Sequence, residues 1–195
     1  MSQTLTEEQR QIRFRQISRD FVQVAVFGLV LGLAGWYFWE QAQPRKLYVA
    51  CGAERVRMRL DKLAFVQGDQ AFTGGVLQSK EQARNGQYSV RMSATAKFAF
   101  ETRIPDLHPD EHISISIWRY ATNERARAGS IVAEIPGTKG HMSGKAVEPQ
   151  TLPAWEQIVI DIPPNQAHEG QYLKFYCFNP SGEVVYFDDL EIRVQ

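Results

Sequence analysis

The chain has 195 residues, 22 Lys and Arg balanced by 22 Asp and Glu, and 44% hydrophobic residues. A zero net charge lacks the basic footprint of a nucleic-acid binder. After an N-terminal apolar run, roughly 150 residues remain, which suits one further domain.

Residues 1–20, MSQTLTEEQRQIRFRQISRD, predict a cytoplasmic amphipathic segment that opens on a capping box, with Thr6 as N-cap and Gln9 three residues on. Ile12, Phe14, Ile17 and Phe21 supply its apolar side. Residues 21–39, FVQVAVFGLVLGLAGWYFW, carry no charge. As a helix such a run reaches about 28 Å, the thickness of a bilayer's hydrocarbon core, and predicts a single transmembrane anchor. A cleaved signal peptide has a shorter apolar core followed by small residues. Here the run ends in Trp36, Tyr37, Phe38 and Trp39, rings suited to a membrane–water interface. Arg10, Arg13, Arg15 and Arg19 precede it, and only Arg45 and Lys46 follow before Arg55. That bias places the N-terminus in the cytoplasm and the remainder in the periplasm or outside a bacterial cell.

Gly28, Gly32 and Gly35 share one side of this helix. Their spacing allows close approach of a second copy or of another membrane protein, although glycine is common in membrane helices without such a role.

A linker, 40–46, leads to a predicted extracytoplasmic domain over 47–195. Its clearest strand is ISISIWRY, where Ile113, Ile115 and Ile117 fall on one face and Ser114, Ser116, Trp118 and Tyr120 on the other. Further strands are predicted from Gln87, Lys97, Ser130, Glu156, Tyr172 and Val184. Asn85-Gly86, Pro105-Asp106, Pro136-Gly137, Pro163-Pro164-Asn165 and Asn179-Pro180-Ser181-Gly182 separate many of them as turns. Short strands with such punctuation predict a mainly β sandwich or barrel. Cys51 and Cys177 lie far apart in sequence, and pairing and separate burial are both open to them.

In VVYFDDLEIRV, Val184, Tyr186, Asp188, Leu190 and Ile192 share one parity, which predicts Asp188 facing a core and needing partners there. The arginines at 55, 57 and 59 and at 125 and 127 read as solvated faces. HPDEH, His108 to His112, reads as a polar turn because it lacks the helical spacing of a metal motif. GHMSGKA reads as a flexible loop, since Ala146 stands where a phosphate loop needs a hydroxyl. No catalytic constellation emerges, and the expectation is that the chain is not an enzyme.

The ordered segments AERV, QSKEQARNGQYSVRM, ISISIWRY, LPAWEQIVIDIP and VVYFDDLEI resemble galactose-binding and carbohydrate-binding-module-like jelly-roll domains of bacterial envelope proteins. The resemblance implies a jelly-roll β-sandwich of eight to ten strands. It also implies a structural calcium held by Asp188 and an acidic residue from the start of the domain, for which Glu54 is the match.

For a glycan ligand, Trp118 and Tyr120 supply flat rings with Ser116 beneath them, and Tyr176, Lys174 and Glu134 are expected on the same face. Trp118 has a second reading, in which it packs beneath a loop. Trp155 is expected to pack the end of the sandwich. Two functional expectations follow. One is a non-enzymatic, membrane-anchored module that recognises a glycan or envelope component. The other is a structural accessory subunit of a larger membrane complex, docked through its helix and sandwich.

Overall fold

The computed structural model describes residues 25–37, 46–138 and 140–195. The chain divides into two compact units, Met1–Gln43 and Pro44–Gln195.

In the first unit, residues 25–37 form helix α1. Val26, Phe27, Leu29, Val30, Leu31 and Leu33 are all exposed on it. An added Cβ at Gly28, Gly32 or Gly35 would meet nothing within 4 Å. Thirteen helical residues, 25–37, span about 20 Å. Among the described residues no helix is long and apolar enough to cross a membrane. The rest of the predicted anchor, 21–24 with 38 and 39, lies outside the described residues, as do segment 1–20 and linker residues 40–45.

The second unit is built from three sheets. The largest has seven strands in the order β11 (Lys145–Ala146), β12 (Ala154–Ile162), β8 (Ile113–Ala121), β14 (Val185–Val194), β6 (Ser89–Met92) and β5 (Gln78–Ser79), with β1 (Leu47–Cys51) also on β14. The second has four, β10 (Met142–Ser143), β9 (Ser130–Glu134), β13 (Gln171–Phe178) and β7 (Phe98–Leu107). The third is a meander of β2 (Val56–Arg59), β3 (Lys62–Gln67) and β4 (Gln70–Thr73). Each strand predicted from the sequence is present. The meander, β1 and the two-residue strands were not predicted.

Alternation explains the core. Ile113, Ile115 and Ile117 of β8 lie opposite Ile162, Ile160 and Ile158 of β12. These join Leu173, Phe175 and Cys177 of β13, and Ile131 and Ala133 of β9, in one buried cluster. Cys51 of β1 and Cys177 of β13 are both buried and free. Burial pushes the Cys51 thiol up to about 11 and raises that of Cys177 well above its ordinary value.

The segment expected as a flexible loop after Gly140 instead carries β10 and β11. β10 pairs with β9 and β11 with β12, so the chain crosses between the two sheets at Gly144. A Cβ at Gly144 would lie 2.5 Å from Ile131 Cγ1, so the crossing needs glycine.

The inward parity of β8 includes a charge. Arg119, paired across the strands with Glu156, is buried, and its Nη2 donates to Glu156 Oε2 at 2.6 Å. Arg119 Nη1 donates to the carbonyls of Arg127 and Gly129. Arg127, expected on a solvated face, donates through Nε and Nη2 to Glu156 Oε1, at 3.0 and 2.7 Å. Burial alone would raise the Glu156 pKa. The Gln150 N–H and the two guanidinium groups outweigh it and hold the carboxyl below its ordinary value.

Removing one partner of such a pair strands a buried charge. Glu156→Ala is therefore expected to destabilise the domain by about 3–5 kcal/mol in urea unfolding. Arg125→Ala, which lost only an exposed contact to Glu183, should change it little.

Candidate functional site

The outer face of the seven-stranded sheet carries Ser114, Ser116, Trp118 and Tyr120 from β8, as the alternation predicts. Trp155 and Gln157 of β12 lie beside Tyr120 and Trp118, and Tyr186 and Asp188 of β14 flank the same two on the other side. Trp155 thus stands on this face near the end of β12, 5.5 Å from the Tyr120 ring.

Asp188 departs from its expected register. A shift between Asp188 and Glu191 reverses the parity of β14. Before it, Val185 and Phe187 are the inward residues and Tyr186 points outward; after it, Leu190, Ile192 and Val194 are inward. A β-bulge of this kind adds a residue that no strict alternation can anticipate. Asp189 takes a left-handed φ of 50° there.

Asp188 is buried nonetheless, because the loop before β6 covers it. Its Oδ2 accepts the N–H groups of Arg84, at 2.9 Å, and Asn85, at 3.3 Å, and its Oδ1 accepts that of Asp189 at 2.8 Å. Burial first, and then the Asp189 charge, push the Asp188 carboxyl up to about 6 against the pull of these bonds. Glu54 holds the same loop further along, its Oε1 accepting the Gln87 and Tyr88 N–H groups at 2.9 Å each. Gly86 turns there at a φ of +67°, and a Cβ on it would come within 2.3 Å of Glu54 Oε1.

The structure does bring Glu54 and Asp188 near each other, around Gly52. Calcium asks for six to eight oxygen ligands. Here five backbone N–H groups already converge on three of the four carboxylate oxygens. No group of three or more His, Cys, Asp or Glu side chains suited to a metal occurs among the described residues. The two carboxylates act as caps for the loop's amides.

That loop also occupies Trp118. The Arg84 guanidinium lies 3.7 Å from the centre of its ring while Arg84 Nη1 bonds Asp189 Oδ2 at 2.7 Å. One face of the indole is therefore covered, as in the packing reading of Trp118. A pocket of about 260 Å³ remains beside it, between Trp118, Val147, Gln150 and Trp155. Ser116 lies in a smaller polar hollow with Gln157, Glu191 and Arg193.

Glu134, Lys174 and Tyr176 do not join this face. They lie on β9 and β13 of the other sheet, so the six residues expected in one ligand site divide between two sheets. On the outer face of the four-stranded sheet Tyr176 donates its hydroxyl to Glu134 Oε1 at 2.6 Å. Lys174 Nζ lies 5.0 Å from the Tyr176 ring centre and 3.7 Å from Glu101 Oε1. Burial, then the bond to Glu134 and the charges of Glu134 and Glu101, push the Tyr176 phenol up to about 12.

Two residues complete this face that the sequence reading left out. Phe98 of β7 stacks on Phe178 of β13, ring centres 5.0 Å apart and planes 21° apart, and lies 5.8 Å from Tyr176. Phe98 is 55% exposed. The signal was present, since Lys174, Tyr176 and Phe178 share one parity in YLKFYCF. The three rings form an open apolar strip edged by an ammonium and two carboxylates, the kind of surface that contacts a sugar's apolar face and its hydroxyls together.

His108 and His112 confirm the polar turn: His108 Nδ1 lies 2.8 Å from Glu169 and His112 Nε2 2.7 Å from Asp161.

No family model matches the chain, and no curated protein matches it. Among solved structures it is similar to the CBM22-1 xylan-binding domain of Paenibacillus barcinonensis Xyn10C, at 15% identity over 78% of this chain and 97% of that one, with a TM-score of 0.48. It is similar to CBM35 of Cellvibrio japonicus Abf62, at 14% identity over 75% and 92% and a TM-score of 0.37. TmCBM61, solved with β-1,4-galactotriose, aligns at 14% identity over 74% and 86% with a TM-score of 0.36. These neighbours are carbohydrate-binding modules, and the likeness concerns the arrangement of strands.

Two outcomes are expected at Asp188. Its carboxyl titrates at about 6 when folded against an ordinary 3.8, so the folded chain holds the proton more tightly. The stability this gives is complete below the ordinary value and is lost as pH rises through the folded one. Relative to Asp188→Asn, the natural chain should gain on the order of 2 kcal/mol between about pH 7.5 and about pH 4 in urea unfolding. Separately, a chelator should leave the melting temperature unchanged; a fall restored by calcium would show that the site binds the ion.

Proposed function

We propose that residues 47–195 form a non-enzymatic module that recognises a glycan or envelope component on the outer face of the four-stranded sheet. The observation that carries this reading is the exposed strip of Phe98, Phe178 and Tyr176 beside Lys174, Glu134 and Glu101. Flat rings and fixed hydrogen-bonding groups lie within one patch, and binding needs no bond-making. The covered indole of Trp118 makes the opposite face the weaker candidate.

The proposal includes a tether. Residues 21–39 would hold the module at a bacterial membrane, single-pass, with the N-terminus cytoplasmic and the domain periplasmic or extracellular. The uncharged sequence supports this, as do the apolar side chains exposed around α1, which need an apolar medium or a partner.

Those side chains also favour a second reading, an accessory subunit docked on another membrane protein through the side of Gly28, Gly32 and Gly35. Purification from native membranes separates the readings, because a chain recovered alone as a monomer opposes the subunit role.

The glycan reading is tested with the detergent-solubilised chain on a broad glycan array, followed by titration of any ligand found. Phe98→Ala and Tyr176→Ala are each expected to weaken binding about tenfold or more. Trp118→Phe should leave it within about twofold. An array without binding, or binding that survives both strip substitutions, overturns the assignment.

A further inference from the structure

The β2–β3 hairpin has an apolar side that begins in the core and continues past it. Cross-strand pairing places Val56 beside Phe65, and Met58 beside Leu63, on one face of the meander. Phe65 and Phe72 are fully buried, whereas Met58 is 65% exposed. At the tip Leu60 is 97% exposed, and Val76 nearby is 71% exposed. Together with Leu63 and Phe72 these side chains line a groove of about 590 Å³.

The turn itself resists a simple folding explanation. Arg59 pairs with Lys62, leaving a two-residue loop in which Leu60 and Asp61 take left-handed φ values of 47° and 61°. Hairpins of this type favour Asn, Asp or Gly at both positions, and a leucine in the first is costly. Here it is also held away from the core, so the fold gains no burial in return.

Charge indicates what the tip meets. The alternate positions of the hairpin are Arg57, Arg59 and Lys62, all exposed, with Arg55 preceding them and Asp61 the one acidic residue between 55 and 63. An apolar tip within a cationic collar matches the order of layers in an anionic bilayer, with phosphate outermost and hydrocarbon beneath. A protein partner would have to supply both an apolar socket and an acidic rim.

We infer that the β2–β3 tip inserts Leu60 and Met58 into an anionic lipid surface, with Arg57, Arg59 and Lys62 on the headgroups. This second contact with a membrane uses residues separate from the 21–39 tether and from the glycan face, and it stands or falls independently of both. It would hold the sandwich at the bilayer in a fixed orientation.

The test uses the full chain with Leu60→Cys labelled by an environment-sensitive fluorophore. Cys51 and Cys177 are buried thiols, and the unsubstituted chain checks that they take no label. The protein is reconstituted into phosphatidylcholine vesicles with and without phosphatidylglycerol, some containing doxyl lipids as quenchers. A blue shift and doxyl quenching that grow with phosphatidylglycerol are expected, with both lost in Arg57→Glu/Arg59→Glu/Lys62→Glu. Emission that remains water-like overturns the inference, and so does a shielded label that doxyl lipids fail to quench, the result a protein partner or a second copy would give. Carbonate extraction of the same vesicles reports the tether separately. If the chain is extracted, vesicles added to it from outside give the same optical readout.

Discussion

A buried carboxylate must be met by donors, and much of the seven-stranded sheet is arranged around that requirement at Asp188. One edge of β14 is shared: β6 pairs with Val185 to Phe187, and β1 pairs with Leu190 to Val194. The bulge falls in the gap between them. Asp188, left without a neighbouring strand on that side, receives the amides of Arg84 and Asn85 instead. Glu54, just after β1, takes the next amides of the same loop. Two side chains thus tie together the beginning, middle and end of the domain, and they bring Arg84 over Trp118.

The two outer faces differ as a result. On the larger sheet the aromatic residues serve one another and the loop: Tyr120 contacts Trp155 and Tyr186, and Tyr186 donates to Glu81. On the smaller sheet Phe98 is exposed and stacks on Phe178, Lys174 lies by the Tyr176 ring, and the charged groups pair across neighbouring strands. The first arrangement spends its polar groups on holding a loop. The second leaves flat apolar surface beside hydrogen-bonding groups, which is the condition for recognising an amphipathic ligand.

Where alternation is strict, the sequence was readable. ISISIWRY and WEQIVIDI sort inward and outward residues as the structure does, and extending their inward parity to Arg119 and Glu156 would have disclosed the buried ion pair. Alternation fails at the bulge of β14, because one extra residue sets the two sides of it on opposite parities: Leu190 and Ile192 are inward as read, whereas Tyr186 and Asp188 before the bulge are not. It is equally silent on which strands share a sheet. That is why Trp118 and Tyr176, each correctly placed on an outward parity, were expected together and lie on different sheets. Short strands such as β10 and β11 have no periodicity to detect, and the hairpin with Leu60 breaks the usual turn preferences.

The crossing at Gly144 has a consequence for how the domain tolerates crowding. It ends both principal sheets on the same side with strands of two residues each, β10 and β11. An exposed sheet edge is a template for another chain's backbone, and a very short one offers too few hydrogen bonds to recruit it. A single glycine that lets the chain pass close to Ile131 therefore guards two edges against strand addition, a safeguard of particular value to domains concentrated side by side on a surface.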